Sequence, residues 1–149
     1  MIKFENNAFY LNTDKTSYVF RIMPTGHLEH LYYGKRINDF NSSEAFRTKH
    51  ANQNGSAIMY DTKHPTICMN DVNLEISGRG TGDMRFPSIE LMWADGSNTV
   101  DFIYESHEIL ECKNTLNTLP SSYGTNDQVK MGSSFLARSK ASAIRSFCR

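Results

Sequence analysis

The stretch GRGTGDMRFP, residues 78–87, places Gly78, Gly80 and Gly82 within five positions and follows them with Asp83 and Arg85. Glycine-rich turns of this kind can cradle a phosphate on backbone N–H groups, with a nearby arginine as counter-charge. That chemistry requires a strand before the glycines and a helix after them. Here the following residues, SIELMW, alternate apolar and polar as a strand does, and no Gly-Lys-Ser/Thr completes a P-loop. The glycines therefore read as permissive backbone positions in a tight loop. Asp83 and Arg85, two apart, share one side of an extended chain and are placed to pair with each other or with neighbours.

Other chemistry finds little support. His27, His30, His50, His64 and His107 make no HExxH or comparable ligand spacing, and His27 and His30 fall on opposite faces of the expected strand. Cys68, Cys112 and Cys148 are odd in number and widely separated, which argues against both a disulfide framework and a zinc site. No GxSxG elbow occurs, and no two acids stand out as the carboxylate pair that glycoside hydrolysis needs. Tyr32, Tyr33, Tyr60 and Trp93 are rings that could stack on a sugar, with Trp93 assigned to the core by its place on a regular apolar face. No metal or other cofactor is expected.

The elements that must carry these residues are β-strands. NAFYLNT is a short strand candidate, and TSYVFRIM alternates with Tyr18, Phe20 and Ile22 on one face. Pro24-Thr25-Gly26 is a turn, and HLEHLYYG alternates again, with Leu28, His30 and Tyr32 opposite Glu29, Leu31 and Tyr33. Together they predict a hairpin. Residues 36–66 lack a period-2 pattern; SSEAFRTKH suggests one or two helical turns capped by Ser42 or Ser43, inside a long connection suited to binding. Ile89, Leu91 and Trp93 predict a strand, Asp95-Gly96 a turn, and Val100 to Leu110 the returning strand. Many alternating strands without a sustained helical period predict an all-β fold, an antiparallel β-sandwich of supersandwich type, incomplete, with a short helical or disordered C-terminal tail.

Composition agrees with one globular domain. The chain has 149 residues, 39% hydrophobic and 21% charged, with a formal net charge of zero, so no global field draws in nucleic acid or an anionic membrane. No segment approaches the roughly 18 apolar residues of a spanning helix, and the amino terminus lacks a signal-peptide core, which together favour the cytoplasm. Charge is nevertheless uneven: five bases against one acid give residues 124–149 a charge of +4, leaving −4 on the first 123.

Three segments, in order, resemble a known family: SYVFRIMPTGHLEHLYYGKRI, GTGDMRFPSIELMWADGSNTVDFIYESHEIL and LNTLPSSY. They are similar to the tyrosine-rich hairpin, the G-x-x-D-[FM]-R-x-P segment with its following hairpin, and the L-P-x-x-Y of the N-terminal β-sandwich of bacterial retaining α-galactosidases, glycoside hydrolase family 36. The resemblance covers residues 1 to about 123. It implies a fragment of an enzyme that hydrolyses terminal α-galactosyl residues, with two catalytic aspartates in a (β/α)8 barrel that this chain does not contain. The chain alone is then expected to be inactive and to meet α-galactosides only within a full enzyme, where it contributes to packing, oligomer assembly and the rim of the substrate site. It also implies self-association. In tetrameric members the loop after the first hairpin reaches a neighbouring subunit's sugar site; its register falls near His50, which makes Arg47, Lys49, His50 and Asn52 the rim candidates, although the loop aspartate of that family is absent.

The tail departs from the family. VKMGSSFLARSKASAIRSFCR is basic and rich in serine and alanine, and the expectation is a sandwich domain over 1–129 followed by an aberrant tail over 130–149, from a truncated or frameshifted reading frame. Two other readings stay open: a free-standing carbohydrate-binding sandwich, and a purely structural or assembly module.

Overall fold

The computed structural model describes residues 1–38, 43–47 and 59–109 in full, and the backbone of residues 110, 128–135 and 147–148. The chain opens with a hairpin of β1 (Ile2–Glu5) and β2 (Ala8–Asn12), in which Phe4 pairs with Phe9. Its two-residue turn is Asn6-Asn7, both at positive φ (52° and 59°). Such a turn matches the twist of the strands, and asparagine tolerates the left-handed region better than most residues. β1 was not expected from the sequence, because four residues bounded by two asparagines carry little pattern.

β3 (Thr16–Ile22) and β4 (Leu28–Lys35) form the hairpin predicted around Pro24-Thr25-Gly26, and the antiparallel sheet runs in the order β1-β2-β3-β4. The expected facing on β4 needs correction. The register slips between Val19 and Phe20, so that Phe20 pairs with His30 but Val19 with Tyr32, leaving Leu31 as the extra residue of a bulge. Leu28 and His30 therefore lie with Phe20 and Tyr18, as does Tyr33, whereas Tyr32 packs with Leu31 beside Val19.

Both faces of this sheet are covered. On one side Phe9 stacks on Phe20 (centroids 4.8 Å) and meets Tyr104 and His107 of β5 (Phe102–Leu110) at 6.4 and 4.8 Å, so β5 lies across the sheet. On the other, Ala8, Tyr10 and Val19 are buried with Leu31, Tyr32 and Ile37 around them. The one-turn helix α1 (Ser43–Phe46) closes this side: Phe46 packs on Tyr32 at 4.8 Å, and the Ser43 backbone N–H donates to the Tyr10 hydroxyl at 3.2 Å. Burying rings the size of Phe9 and Tyr10 stabilises by roughly 1.5–3 kcal/mol each, which makes these two faces the main apolar source of stability in the first sheet.

The second sheet has the order β5-β6-β7, with β6 at Gln128–Phe135 and β7 at Phe147–Cys148. Among the described residues the fold is thus mostly antiparallel β with one short α-helix, in two open sheets. Two expectations are corrected here. The expected end of strand pattern near Val129 does not hold, since β6 pairs with β5 from Leu110↔Gln128 to Phe102↔Phe135. Val129, Met131 and Phe135 in fact alternate with polar residues, a pattern masked in the sequence by Gly132 and two serines. The strand expected over 89–93 is instead a loop. Ile89 and Leu91 do pack on Val100 and Phe102, but the Val100 N–H, which would join a ladder, donates to Arg79 O at 2.9 Å. The glycine segment has taken that place. Trp93, assigned to the core, is half-buried, with its indole N–H donating to Thr99 O at 3.0 Å.

Candidate functional site

The glycine segment is built around contact with the backbone that enters β5. A Cβ on Gly78 would overlap the Val100 carbonyl oxygen, and one on Gly80 would sit 2.8 Å from Thr99 Oγ1. Gly80 and Gly82 are at φ of 89° and 83°, where side chains are strained. After these turns the chain places Asp83 inward, its side chain fully buried.

Asp83 and Arg85 form a closed polar unit. Asp83 Oδ1 accepts from the Arg85 N–H (3.1 Å) and Nε (2.8 Å), and Oδ2 accepts from Nη2 at 3.2 Å. Arg85 also donates to Val72 O (2.6 Å) and Met69 O (2.8 Å), clasping the 3₁₀ turn Met69–Asp71. Burial by itself would raise the Asp83 carboxyl; the hydrogen bonds and charge of Arg85, with help from Ser77, outweigh it and hold the group below the ordinary aspartate value. All five hydrogen bonds are made within the fold, so this is a brace, and nothing about it faces a phosphate.

Arg47, the one rim candidate among the described residues, stands exposed at the end of α1; Lys49, His50 and Asn52 lie outside the described residues. Arg47 Nη1 is 3.5 Å from Glu44, whose other oxygen is 3.6 Å from Arg21 Nη1. Arg21 Nε in turn donates to Glu29 Oε2 at 2.6 Å, with the Glu29 side chain 1% exposed. These four charges tie α1 to β3 and β4. Sequence reasoning missed the pair at its centre, yet it was findable: Arg21 and Glu29 are equidistant from Thr25, the middle of the hairpin turn, and pair directly across it. Arg21, Glu29, Arg47, Thr66, Cys68 and Asp71 help to line a cleft of about 40 Å³. That holds two or three water-sized groups and not a sugar ring.

A second unpredicted cluster joins the hairpin turn to β5. The His27 ring is buried between Thr25 Oγ1 (2.9 Å from Nδ1) and Asp101 Oδ1 (2.6 Å from Nε2), and Tyr60 OH donates to Asp101 Oδ2 at 2.6 Å. The components resemble a nucleophile–base–acid set, but Thr25, His27 and Asp101 are buried and Tyr60 is half-buried, and the turn is further fixed by Tyr104 N–H donating to Gly26 O. His30 lies apart from His27, 3.0 Å from Glu75, which also accepts from Tyr18 OH at 2.6 Å. Among the described residues no group of three or more His, Cys, Asp or Glu could hold a metal ion, and no helix is long and apolar enough to cross a membrane. Of the rings considered for stacking, Tyr33 is the most open at 69% exposed, Tyr32 leans on Phe46, and Tyr60 is committed to Asp101.

Residues 26–137 match the glycosyl hydrolase family 36 N-terminal domain. The chain is 30% identical over 124 residues to alpha-galactosidase AgaA of Geobacillus stearothermophilus, covering 83% of this chain and 17% of that protein. It is 28% identical over 129 residues to alpha-galactosidase Mel36A of Lactobacillus acidophilus, again covering 17% of the relative. Among solved structures, that of the alpha-galactosidase AgaB of G. stearothermophilus shares the fold at a TM-score of 0.77 and 24% identity, over 90% of this chain and 18% of that one. An AgaA variant solved in complex with raffinose gives 0.73 at 26% identity, over 85% and 18%. The chain thus spans about a sixth of the length of these relatives. The matched region holds β4, the Asp83–Arg85 brace and β5 with β6, and by it the chain belongs to glycosyl hydrolase family 36, as a member of its N-terminal domain.

Proposed function

We propose that this domain serves an α-galactosidase of family 36 as its N-terminal module, and that the cleavage of terminal α-galactosyl groups is carried out by a catalytic portion to which it is attached. The match over residues 26–137, with α-galactosidases as relatives, carries this reading. The deeply placed acids support it: Glu29 is engaged by Arg21, Asp83 by Arg85, and Asp101 by His27 and Tyr60. They act as struts, whereas a glycosidase needs two carboxyl groups facing a shared space. The domain's contribution is then to pack against the catalytic portion and to carry the segment that follows α1, with Arg47, Lys49, His50 and Asn52, towards the sugar-binding rim.

The test is a fusion in which this chain replaces the matching segment of the G. stearothermophilus enzyme AgaA. The fusion should hydrolyse p-nitrophenyl α-galactoside, and the chain alone should release no nitrophenol above buffer. Replacing His50 or Asn52 by alanine in the fusion should raise KM more than it lowers kcat. A folded but inactive fusion, or turnover by the rigorously purified chain, refutes the reading.

A further inference from the structure

Met84 and Phe86 alternate with Asp83 and Arg85 and point the other way: they are 81% and 84% exposed, while the Asp83 carboxylate is enclosed. Single exposed apolar side chains are ordinary, but two large ones this open, two residues apart on one side of the chain, make an apolar tip. The tip is also rigidly held. The Met84 N–H donates to Asn70 Oδ1 at 3.2 Å, the Arg85 N–H to Asp83 Oδ1, and Pro87, which follows, is buried. A loop fixed at Met84, Arg85 and Pro87 has already lost much of its backbone freedom, so little ordering cost remains when its side chains are buried by a partner. The exposed Arg79–Glu90 ion pair (2.9 Å) lies on the same loop system and supplies the polar surroundings typical of a contact with an apolar centre.

We infer that Met84 and Phe86 form a preorganised knuckle that seats in an apolar pocket on the catalytic portion of a family 36 enzyme. The inference rests on the module reading given above, and deepens it by naming the contact. Two observations favour that occupant over a second copy of this chain. The relatives are about six times longer than the chain, so most of such a protein lies outside this domain and must lie against some part of it. A projecting tip also needs an apolar concave acceptor, and the cleft described at Arg21 and Arg47 is lined by the charged side chains of Arg21, Glu29, Arg47 and Asp71. The inward pair explains why the tip is charge-free: Arg85 spends its donors on Asp83, Val72 and Met69 rather than on a partner.

The experiment measures binding rather than turnover, so that its failure is separable from failure of the module reading. The full chain is titrated, by sedimentation and by interferometry, onto AgaA lacking the segment that this chain matches. Wild type should bind, and Met84→Ser/Phe86→Ser should weaken binding about 10- to 100-fold, as expected for loss of buried anchors. Circular dichroism and the melting temperature of the double variant should equal those of wild type, since neither side chain packs within the domain. Met92→Ser, equally open at 82% but outside the Asp83–Pro87 turn, should bind as wild type. Absence of wild-type binding, or binding indifferent to the double variant, overturns the inference, even where the fusion described above is active. A dimer of the chain alone that the double variant abolishes overturns it too, and assigns the knuckle to a second copy.

Discussion

Replacing Asp83 by asparagine removes the charge from a fully buried carboxylate while keeping its shape. Arg85 then loses a partner reached through Nε at 2.8 Å and Nη2 at 3.2 Å, but keeps the Val72 and Met69 carbonyls. Breaking a buried ion pair by removing one member costs ~3–5 kcal/mol. The Arg85 side chain is 34% exposed, so water reaches it in the variant, and the lower end of that range applies: about 3 kcal/mol. For a chain of this size that corresponds to a fall of roughly 6–12 °C in melting temperature. Urea unfolding at pH 7 reads the loss, and Asp83→Leu/Arg85→Met, which leaves no unpaired charge, should recover part of it. The pH dependence has a definite sign. Because the folded Asp83 carboxyl titrates below its unfolded value, its contribution is complete above the unfolded range, near pH ~4, and is lost as pH falls through the folded value. The gap between wild type and Asp83→Asn should therefore be level from pH 7 to about 5 and narrow below about 4. A gap below about 1 kcal/mol at pH 7, or one that persists undiminished at pH 3, would refute the brace.

Three further outcomes are expected. Gly78→Ala should destabilise by about 2 kcal/mol or more in chemical denaturation, because its methyl group meets the Val100 carbonyl oxygen, and Gly80→Val by at least about 1 kcal/mol from its φ alone. Arg21→Met should cost about 3–5 kcal/mol by leaving Glu29 buried and unpaired, while Arg21→Met/Glu29→Leu should cost much less; equal losses in the two would show that the charge is not what matters. Deletion of residues 128–149 should lower the melting temperature by more than ~5 °C and raise amide exchange along β5, since that strand loses the partner paired with it from Phe102 to Leu110; an unchanged melt would mean that β6 adds nothing to the fold.

Much of the first sheet was legible in the sequence. Tyr18, Phe20 and Ile22 alternate cleanly, and Pro24-Thr25-Gly26 marks the turn between β3 and β4. What escaped has definite physical causes. One inserted residue, Leu31, reverses the facing of Tyr32 and Tyr33, and a period-2 reading has no means of seeing a bulge. Ile89 and Leu91 carry a strand's apolar alternation because they do pack on Val100 and Phe102, yet hydrogen bonding there goes to the glycine segment. Alternation reports burial of one side, not membership of a ladder. Of the candidate site, the pairing of Asp83 with Arg85 was legible from spacing, whereas Asp101 meeting His27 and Tyr60 joins residues 74 and 41 apart, beyond any local pattern.

Residues 59–101 contain no strand of the two sheets, and their attachment to the first sheet explains why they hold a defined shape. Backbone ladders supply little of it: an isolated bridge between Glu29 and Leu74, with Glu75 N–H on Leu28 O and His30 N–H on Asn73 O. The rest is done by side-chain pairs that reach across the chain. Glu75 is held by Tyr18, 57 residues away, and by His30; Asp101 holds His27 and Tyr60 together; Arg85 ties residues 83–85 to the 3₁₀ turn. Buried polar groups left half-satisfied cost more than apolar replacements, so each of these pairs specifies one arrangement of the loop and penalises the others. A loop region organised in this way can be both irregular and rigid. That combination is what holds Arg47 at one end of a helix and Met84 with Phe86 at the tip of a turn, each in a fixed place.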